Sequence, residues 1–242
     1  MAAKADRSGK PDFDLEHQAL SLNNQDLFAP QAPKVVVGID EAGRGPWAGP
    51  VTAAAAWIHP EYVGDLPIGL NDSKTISPKK RASLWEALQV LAENPEIFRV
   101  HVSSVDAVDI DRMGILPATF HAMEMALSGL DLVGHDLHVL VDGSLAPTFS
   151  SPSLTQSLRV QPVVKGDSRS LSIAAASIAA KQTRDAIMLE LDRAWPQYGW
   201  RNNMGYGTQP HAKTLAEKGP CPHHRFSFRP VARAAAAHGY TR

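Results

Sequence analysis

Three short runs of apolar, mostly β-branched residues each lead into an acidic residue set among glycine or serine. Residues 35–39 run into Asp40-Glu41, residues 137–141 into Asp142-Gly143, and residues 160–164 into Lys165-Gly166-Asp167-Ser168. Runs of this length and composition read as buried strands. A sheet gathers strand ends that lie far apart in the chain, so this pattern predicts a sheet with carboxylates along one edge.

The rest of the chain supplies partners for that sheet. Gly43, Gly45, Pro46 and Gly49 mark a tight turn between residues 35–39 and a returning strand over 51–58, which makes 35–58 a hairpin. Ser77-Pro78 is a helix start, with Ser as cap and Pro in the first turn. Leu84, Leu88 and Leu91 continue that helix, and Asn94-Pro95 stops it. Residues 99–102 predict a strand, and 117–127 a helix closed by Gly129. A long helix is predicted over 171–195, its first half made of small side chains, with short helices over 209–218 and 230–238. The expected class is α/β, with a mixed sheet and a helical C-terminal extension. Residues 1–33 are polar and lack periodicity, so they read as a flexible tail. Residues 34–200 form the catalytic domain and 201–242 a basic extension packed on the same domain.

Charge matters here by distribution. The total is −1, yet residues 201–242 carry seven Lys/Arg against Glu217 alone, and residues 101–142 carry seven Asp/Glu against Arg112 alone. A basic end of this kind suits phosphate binding. No run reaches the roughly 18 apolar residues of a membrane span. Cys221 is the lone cysteine, which fits a reducing cytoplasm. A monomer is expected.

Asp40, Glu41, Asp142 and Asp167 gathered at one sheet edge would repel one another unless cations sat between them. An all-oxygen donor set suits Mg²⁺ or Mn²⁺, and two such ions held by shared carboxylates are a common device for phosphodiester hydrolysis. One difficulty is geometric. Asp40 and Glu41 are neighbours, and neighbouring strand residues point to opposite faces. Both reach one metal site only if the backbone leaves regular geometry at Glu41, or if Glu41 acts through its carbonyl or water.

The segment Gly38-Ile39-Asp40-Glu41-Ala42-Gly43-Arg44-Gly45-Pro46 resembles the signature of the ribonuclease HII family. Further blocks match in the family's order: Leu70-Asn71-Asp72-Ser73-Lys74, Val141-Asp142-Gly143, Val164-Lys165-Gly166-Asp167-Ser168, the stretch 172–181 with Arg184-Asp185, Gly205-Tyr206-Gly207-Thr208 with His211, and His224-Arg225-Phe226-Ser227-Phe228. The resemblance covers about residues 35–232. It implies an RNase H-like fold and an endonuclease that cuts the RNA of RNA–DNA hybrids, and 5′ of ribonucleotides embedded in duplex DNA. By the same resemblance, two divalent ions rest on Asp40, Glu41, Asp142 and Asp167. Gly43, Arg44 and Gly45 form a loop against the 2′-hydroxyl region, and Tyr206 lies on the sugar 3′ of the cut. Ser73, Lys74 and Lys165 complete the substrate contacts. The 2′-OH is the general mark of RNA, and glycines let backbone amides approach it.

Met204 stands where the family often has lysine, which removes one cationic phosphate contact. The tail is too short for the extra N-terminal domain of the related ribonuclease HIII. Residues Gln18-Ala19-Leu20-Ser21-Leu22 loosely resemble the peptide by which bacterial replication proteins dock on the sliding clamp, and deleting residues 1–33 is expected to leave activity on short duplexes unchanged. Arg184-Asp185 reads as an ion pair on a helix surface. Cys221, His223 and His224 fit no common zinc spacing. The competing readings are a DNA junction or repair nuclease on the same fold, and a hybrid-binding module without activity.

Overall fold

The computed structural model describes residues 10–21, 34–62, 66, 67, 69–71, 73, 75–149 and 158–240. Its centre is a five-stranded sheet in the order β3-β2-β1-β4-β5: β1 (Lys34–Ala42), β2 (Val51–Ile58), β3 (Phe98–Val105), β4 (Asp136–Asp142) and β5 (Leu158–Val163). The hairpin is as expected, with Gly38 opposite Ala56 in an antiparallel ladder. On its other edge β1 runs parallel to β4, and β4 parallel to β5.

Helices cover both faces. On one, α4 (Ile115–Ser128) sets Ala118, Ala122, Ala126 and Leu127 against Val35, Val37, Ile39, Val139 and Val141. On the other lies α5 (Leu171–Ala194), with α2 (Pro78–Leu91) beside it. The small residues of α5 allow very close approach: a Cβ placed on Gly38 would lie 2.2 Å from the Ile173 backbone nitrogen. Burial of these apolar faces supplies the main driving force.

Three helices depart from the sequence expectations. One is α1 (Asp14–Ser21), inside the stretch read as a flexible tail. Its inward positions are Glu16 and Ala19, and a glutamate on the buried face hides the amphipathic pattern. Another is α3 (Ala107–Met113), capped by Asp106 and buried only at Ala107 and Ile110, too short to show a stripe. The last is the single turn α6 (Trp200–Asn203). Predicted ends otherwise shift by a few residues. The most consequential shift is in β1, which continues as regular strand through Asp40 and Glu41 to Ala42.

Residues 201–240, including α7 (Gln209–Lys218) and α8 (Arg229–Ala237), dock on the turn that follows β1. The Trp47 N–H donates to Gly205 O at 2.8 Å, the Gly49 N–H to His223 O at 2.9 Å and the Arg225 N–H to Trp47 O at 2.8 Å. Asp111 of α3 accepts from the Phe226 and Ser227 amides at 2.8 and 2.7 Å, tying the acidic middle to the basic end.

Candidate active site

Strand register builds the acid cluster. Val36, Leu140 and Ile173 share one buried cluster on the α5 side, so the alternate residues Asp40 and Asp142 also face α5. Ile39 pairs with Val141, which places Asp40 beside Asp142 on adjacent parallel strands. Asp167 arrives from the Gly166–Ser168 turn beyond β5. Carboxylate oxygens of Asp40, Asp142 and Asp167 all lie within 4.8 Å of one another. The turn itself is anchored to the cluster, because the Gly166 N–H donates to Asp142 Oδ1 at 2.7 Å.

Burial, and then the charges of Glu41 and Asp142, hold the Asp40 carboxyl well above the usual carboxylate range. A hydrogen bond from Ser177 on α5 and the Glu41 N–H, 2.7 Å from Asp40 Oδ1, oppose that rise. Three carboxylates this close, two of them buried, fit a hard divalent cation, and the triad is the chain's divalent-metal site.

Glu41 is not part of the triad. The strand stays regular, so Glu41 takes the opposite pleat face at the sheet rim, where its Oε1 meets Arg44 Nη1 at 3.4 Å. Its charge still acts on Asp40.

The loop residues fall into place beside the acids. Gly43 sits at φ +97°, and a side chain there would run into the Arg184 guanidinium, so this glycine serves the fold of the loop. Gly45 is exposed, and a Cβ on it would lie 3.4 Å from Tyr206 Cε1. The Gly-Arg-Gly and Gly-Tyr-Gly blocks, far apart in sequence, are therefore neighbours, and the Tyr206 ring is half exposed beside them. Lys165 is exposed at a left-handed turn position (φ 53°) next to the Gly166 anchor. Ser73 departs from expectation: it is only 2% exposed, and its hydroxyl lies 2.8 Å from Ser177 Oγ, behind Asp40. Through Ser177 it supports Asp40 from behind. Lys74 lies outside the described residues.

Sequence reasoning missed what holds the loops. Arg225, fully buried, donates to the carbonyls of Gly43 (2.6 Å), Arg44 (3.0 Å) and Gly49 (2.9 Å). Arg184, also buried, donates to Pro50 O at 3.0 Å, Ala48 O at 3.3 Å and Met204 O at 3.1 Å, joining the two loops. Burial and the nearby Arg184 charge push Arg225 down to about 9. Asp185 is not paired with Arg184 on a surface. It is buried between Arg81 Nη2, at 2.9 Å, and Lys181, linking α2 to α5. Tyr206 O meets His211 Nδ1 at 2.9 Å, His211 Nε2 meets His224 Nε2 at 3.0 Å, and His224 Nδ1 accepts from the Cys221 N–H at 3.1 Å. This relay needs both imidazoles neutral. Burial lowers both, His224 to about 3. Within it Cys221 and His224 hold backbone and each other.

The ribonuclease HII family model matches residues 37–231. The chain belongs to the ribonuclease HII family. It is 46% identical over 222 residues to the ribonuclease HII of Magnetococcus marinus, covering 91% of this chain and 93% of that one. It is likewise 46% identical over 196 residues to that of Roseobacter denitrificans, covering 81% and 90%. Among solved structures, the ribonuclease H2 of Pyrococcus horikoshii OT3 superposes with a TM-score of 0.65 at 25% identity, over 84% of this chain and 98% of that one. The fold is shared more distantly with Bst-RNase HIII in complex with Mn²⁺, at a TM-score of 0.61 and 18% identity, over 88% and 72%. As a ribonuclease HII the chain is an endoribonuclease acting on RNA–DNA hybrids, with an aspartate triad at its metal site. None of its described helices is long and apolar enough to cross a membrane.

Proposed function

We propose that this ribonuclease HII cuts 5′ of ribonucleotides embedded in duplex DNA as well as within longer hybrids, leaving 5′-phosphate and 3′-hydroxyl ends. The carrying observation is that exposed Gly45, on the loop that leaves the strand bearing Asp40, meets the exposed ring of Tyr206. Asp40, Asp142 and Asp167, with Glu41 reaching in from the rim, would hold two Mg²⁺ or Mn²⁺ ions. When bound, these supply an activated water and charge neutralisation at the leaving oxygen. The other steps belong to side chains and backbone. Tyr206 packs on the sugar 3′ of the cut. The open backbone at Gly45 admits a 2′-OH, which an all-DNA duplex lacks. Arg44 and Lys165 face the phosphates, and the buried Arg225 adds positive potential under the loop.

The test is cleavage of three matched duplexes: one with a single ribonucleotide, one with an RNA–DNA hybrid tract and one all DNA. Each is run with Mg²⁺, Mn²⁺ or chelator. Cutting of both RNA-containing duplexes, only with metal and 5′ of the single ribonucleotide, is the expected result. Equal cutting of all-DNA duplex would favour a junction or repair nuclease.

We place the enzyme in the cytoplasm, where its lone buried thiol stays reduced. A sliding-clamp contact through residues 18–22 is a further partner reading. It draws some support from a shared fold with the RNase HII of the Archaeoglobus fulgidus PCNA:RNase HII complex (TM-score 0.58, 23% identity). In this chain Ala19 is buried and Leu20 packs beside it, so docking as an extended peptide requires α1 to unpack.

A further inference from the structure

Residues 12–21 lie along the start of α5 and the turn that carries Asp167. Asp12 pairs with this segment through its backbone: its N–H donates to Arg169 O at 3.4 Å, and its carbonyl accepts from the Leu171 N–H at 3.1 Å. Leu15, Ala19 and Leu20 pack with Val36, Leu140, Val163 and Ile173, the apolar layer beneath the acids. Between these anchors, Glu16 is only 2% exposed. Its Oε1 accepts from Ser170 Oγ and Ser172 Oγ, both at 2.6 Å, and from the Ser172 N–H at 3.0 Å. Its Oε2 is buried with no hydrogen-bond partner among the described residues.

A buried carboxylate is costly unless donors and positive potential surround it. Here the donors and the positive N-terminal end of a long helix do so. The arrangement also fixes a direction. Ser170 gives its single hydroxyl hydrogen to Glu16 and turns its lone pairs to the Ile173 N–H, 3.1 Å away, as the helix cap. The Ser170 N–H in turn donates to Gly166 O at 2.8 Å, and the Gly166 N–H to Asp142 at 2.7 Å. The turn bearing Asp167 is thus held by Asp142 on one side and by Glu16 on the other.

We propose that residues 12–21 are a strap that sets the Asp167 turn, with Glu16 as a positioning residue for the metal site. This rests on the reading of Asp167 as a metal ligand, and it reverses the expectation that the first 33 residues are dispensable.

The experiment measures Mn²⁺ binding by titration calorimetry, with thermal unfolding with and without Mn²⁺, on the full chain and its Glu16→Ala, Glu16→Gln and Ser172→Ala variants, well below each melting temperature. Supporting partners of metal ligands typically change affinity by about 10-fold or more. Glu16→Ala is expected to weaken Mn²⁺ binding by about that much and to shrink the Mn²⁺-induced rise in Tm, lowering kcat while KM for hybrid stays level. Glu16→Gln keeps the Oε1 acceptor and is expected to restore most of the affinity. Should Glu16→Ala fail to fold, Ser172→Ala decides, with Mn²⁺ binding weakened measurably but by less than about 10-fold, because the Ser170 hydroxyl and the Ser172 N–H still hold Glu16. Unchanged Mn²⁺ affinity in a folded Glu16→Ala, or in Ser172→Ala where that variant decides, overturns the strap and makes Glu16 a stability residue only. A wild-type chain that binds no Mn²⁺ overturns the metal site itself, and the strap with it.

Discussion

At the acid triad, two adjacent parallel strands present Asp40 and Asp142 on one pleat face and a short turn adds Asp167. Like charges crowd together there, and burial with the charges of Glu41 and Asp142 holds Asp40 above the usual carboxylate range. Across the site, the loops bearing Gly45 and Tyr206 stand on two buried guanidiniums whose hydrogen bonds end on backbone carbonyls. One region concentrates like charge on a rigid frame. The other spends its charge internally, turning flexible backbone into a fixed shape. Reaction geometry comes from the sheet and recognition geometry from buried arginines, so the two should fail differently when mutated.

The largest effect is expected at the triad. Asp40→Asn or Asp142→Asn should reduce cleavage to background while hybrid binding survives. Stability should stay level or rise, because one of several mutually repelling carboxylates is neutralised. Near-normal turnover with excess metal in either variant would break the comparison at its root. Arg225→Met should do the reverse. Three carbonyls lose their donor, at a cost of roughly 3 kcal/mol or more and a drop in Tm of roughly 10 °C. Mn²⁺ affinity should change little, because the triad stands on the sheet. A Tm within a degree or two of wild type would show that water replaces the guanidinium. Smaller and more selective is Tyr206→Ala, which should cost about 1–3 kcal/mol in kcat/KM on a single-ribonucleotide duplex and less on a long hybrid, while Tyr206→Phe loses little. Equal losses on both substrates would make Tyr206 a packing residue.

The smallest effect near neutral pH concerns the histidine relay beneath Tyr206. His211 and His224 are held neutral, so the unfolded chain binds protons more readily than the folded one below pH 6.5. Stability should therefore be fully present above pH 6.5 and decline as pH falls toward 3, by at most about 1.4 kcal/mol per pH unit for each imidazole. His211→Gln should flatten that slope in chemical denaturation, and an unchanged slope would assign it elsewhere.

Much of this was legible in the sequence, and the reason is physical. Strand ends bearing acids carry a signal in their own residues, so Asp40, Asp142 and Asp167 and their three strands were readable. Strand periodicity also raised the difficulty at Glu41, but did not predict the regular path of β1 through it, because the glycines just behind suggested a break in the strand. The support of the loops was not readable. Arg184 and Arg225 bind carbonyls, which every residue has, so no partner type marks them. Gly43 likewise reads as a substrate contact, although its position is dictated by Arg184 behind it. Ser73 has a polar side chain suited to phosphate, but only three-dimensional burial shows that it faces Ser177. Glu16 misleads most, since a glutamate on a buried helix face resembles solvent-exposed tail.

The two edges of β1 also differ in time. Its ladder with β2 closes within one hairpin, Gly38 against Ala56, whereas its ladder with β4 joins residues about a hundred positions apart, Val37 against Val139. Local pairings form early and distant ones late, because loop closure must be met first. A chain emerging during synthesis can therefore present Asp40 on a finished hairpin long before Asp142 exists, and Arg225 arrives almost last to lock the loop that follows β1. On this order the three acids can meet only after β4 and the Asp167 turn have been made, and the support of the loop comes later still.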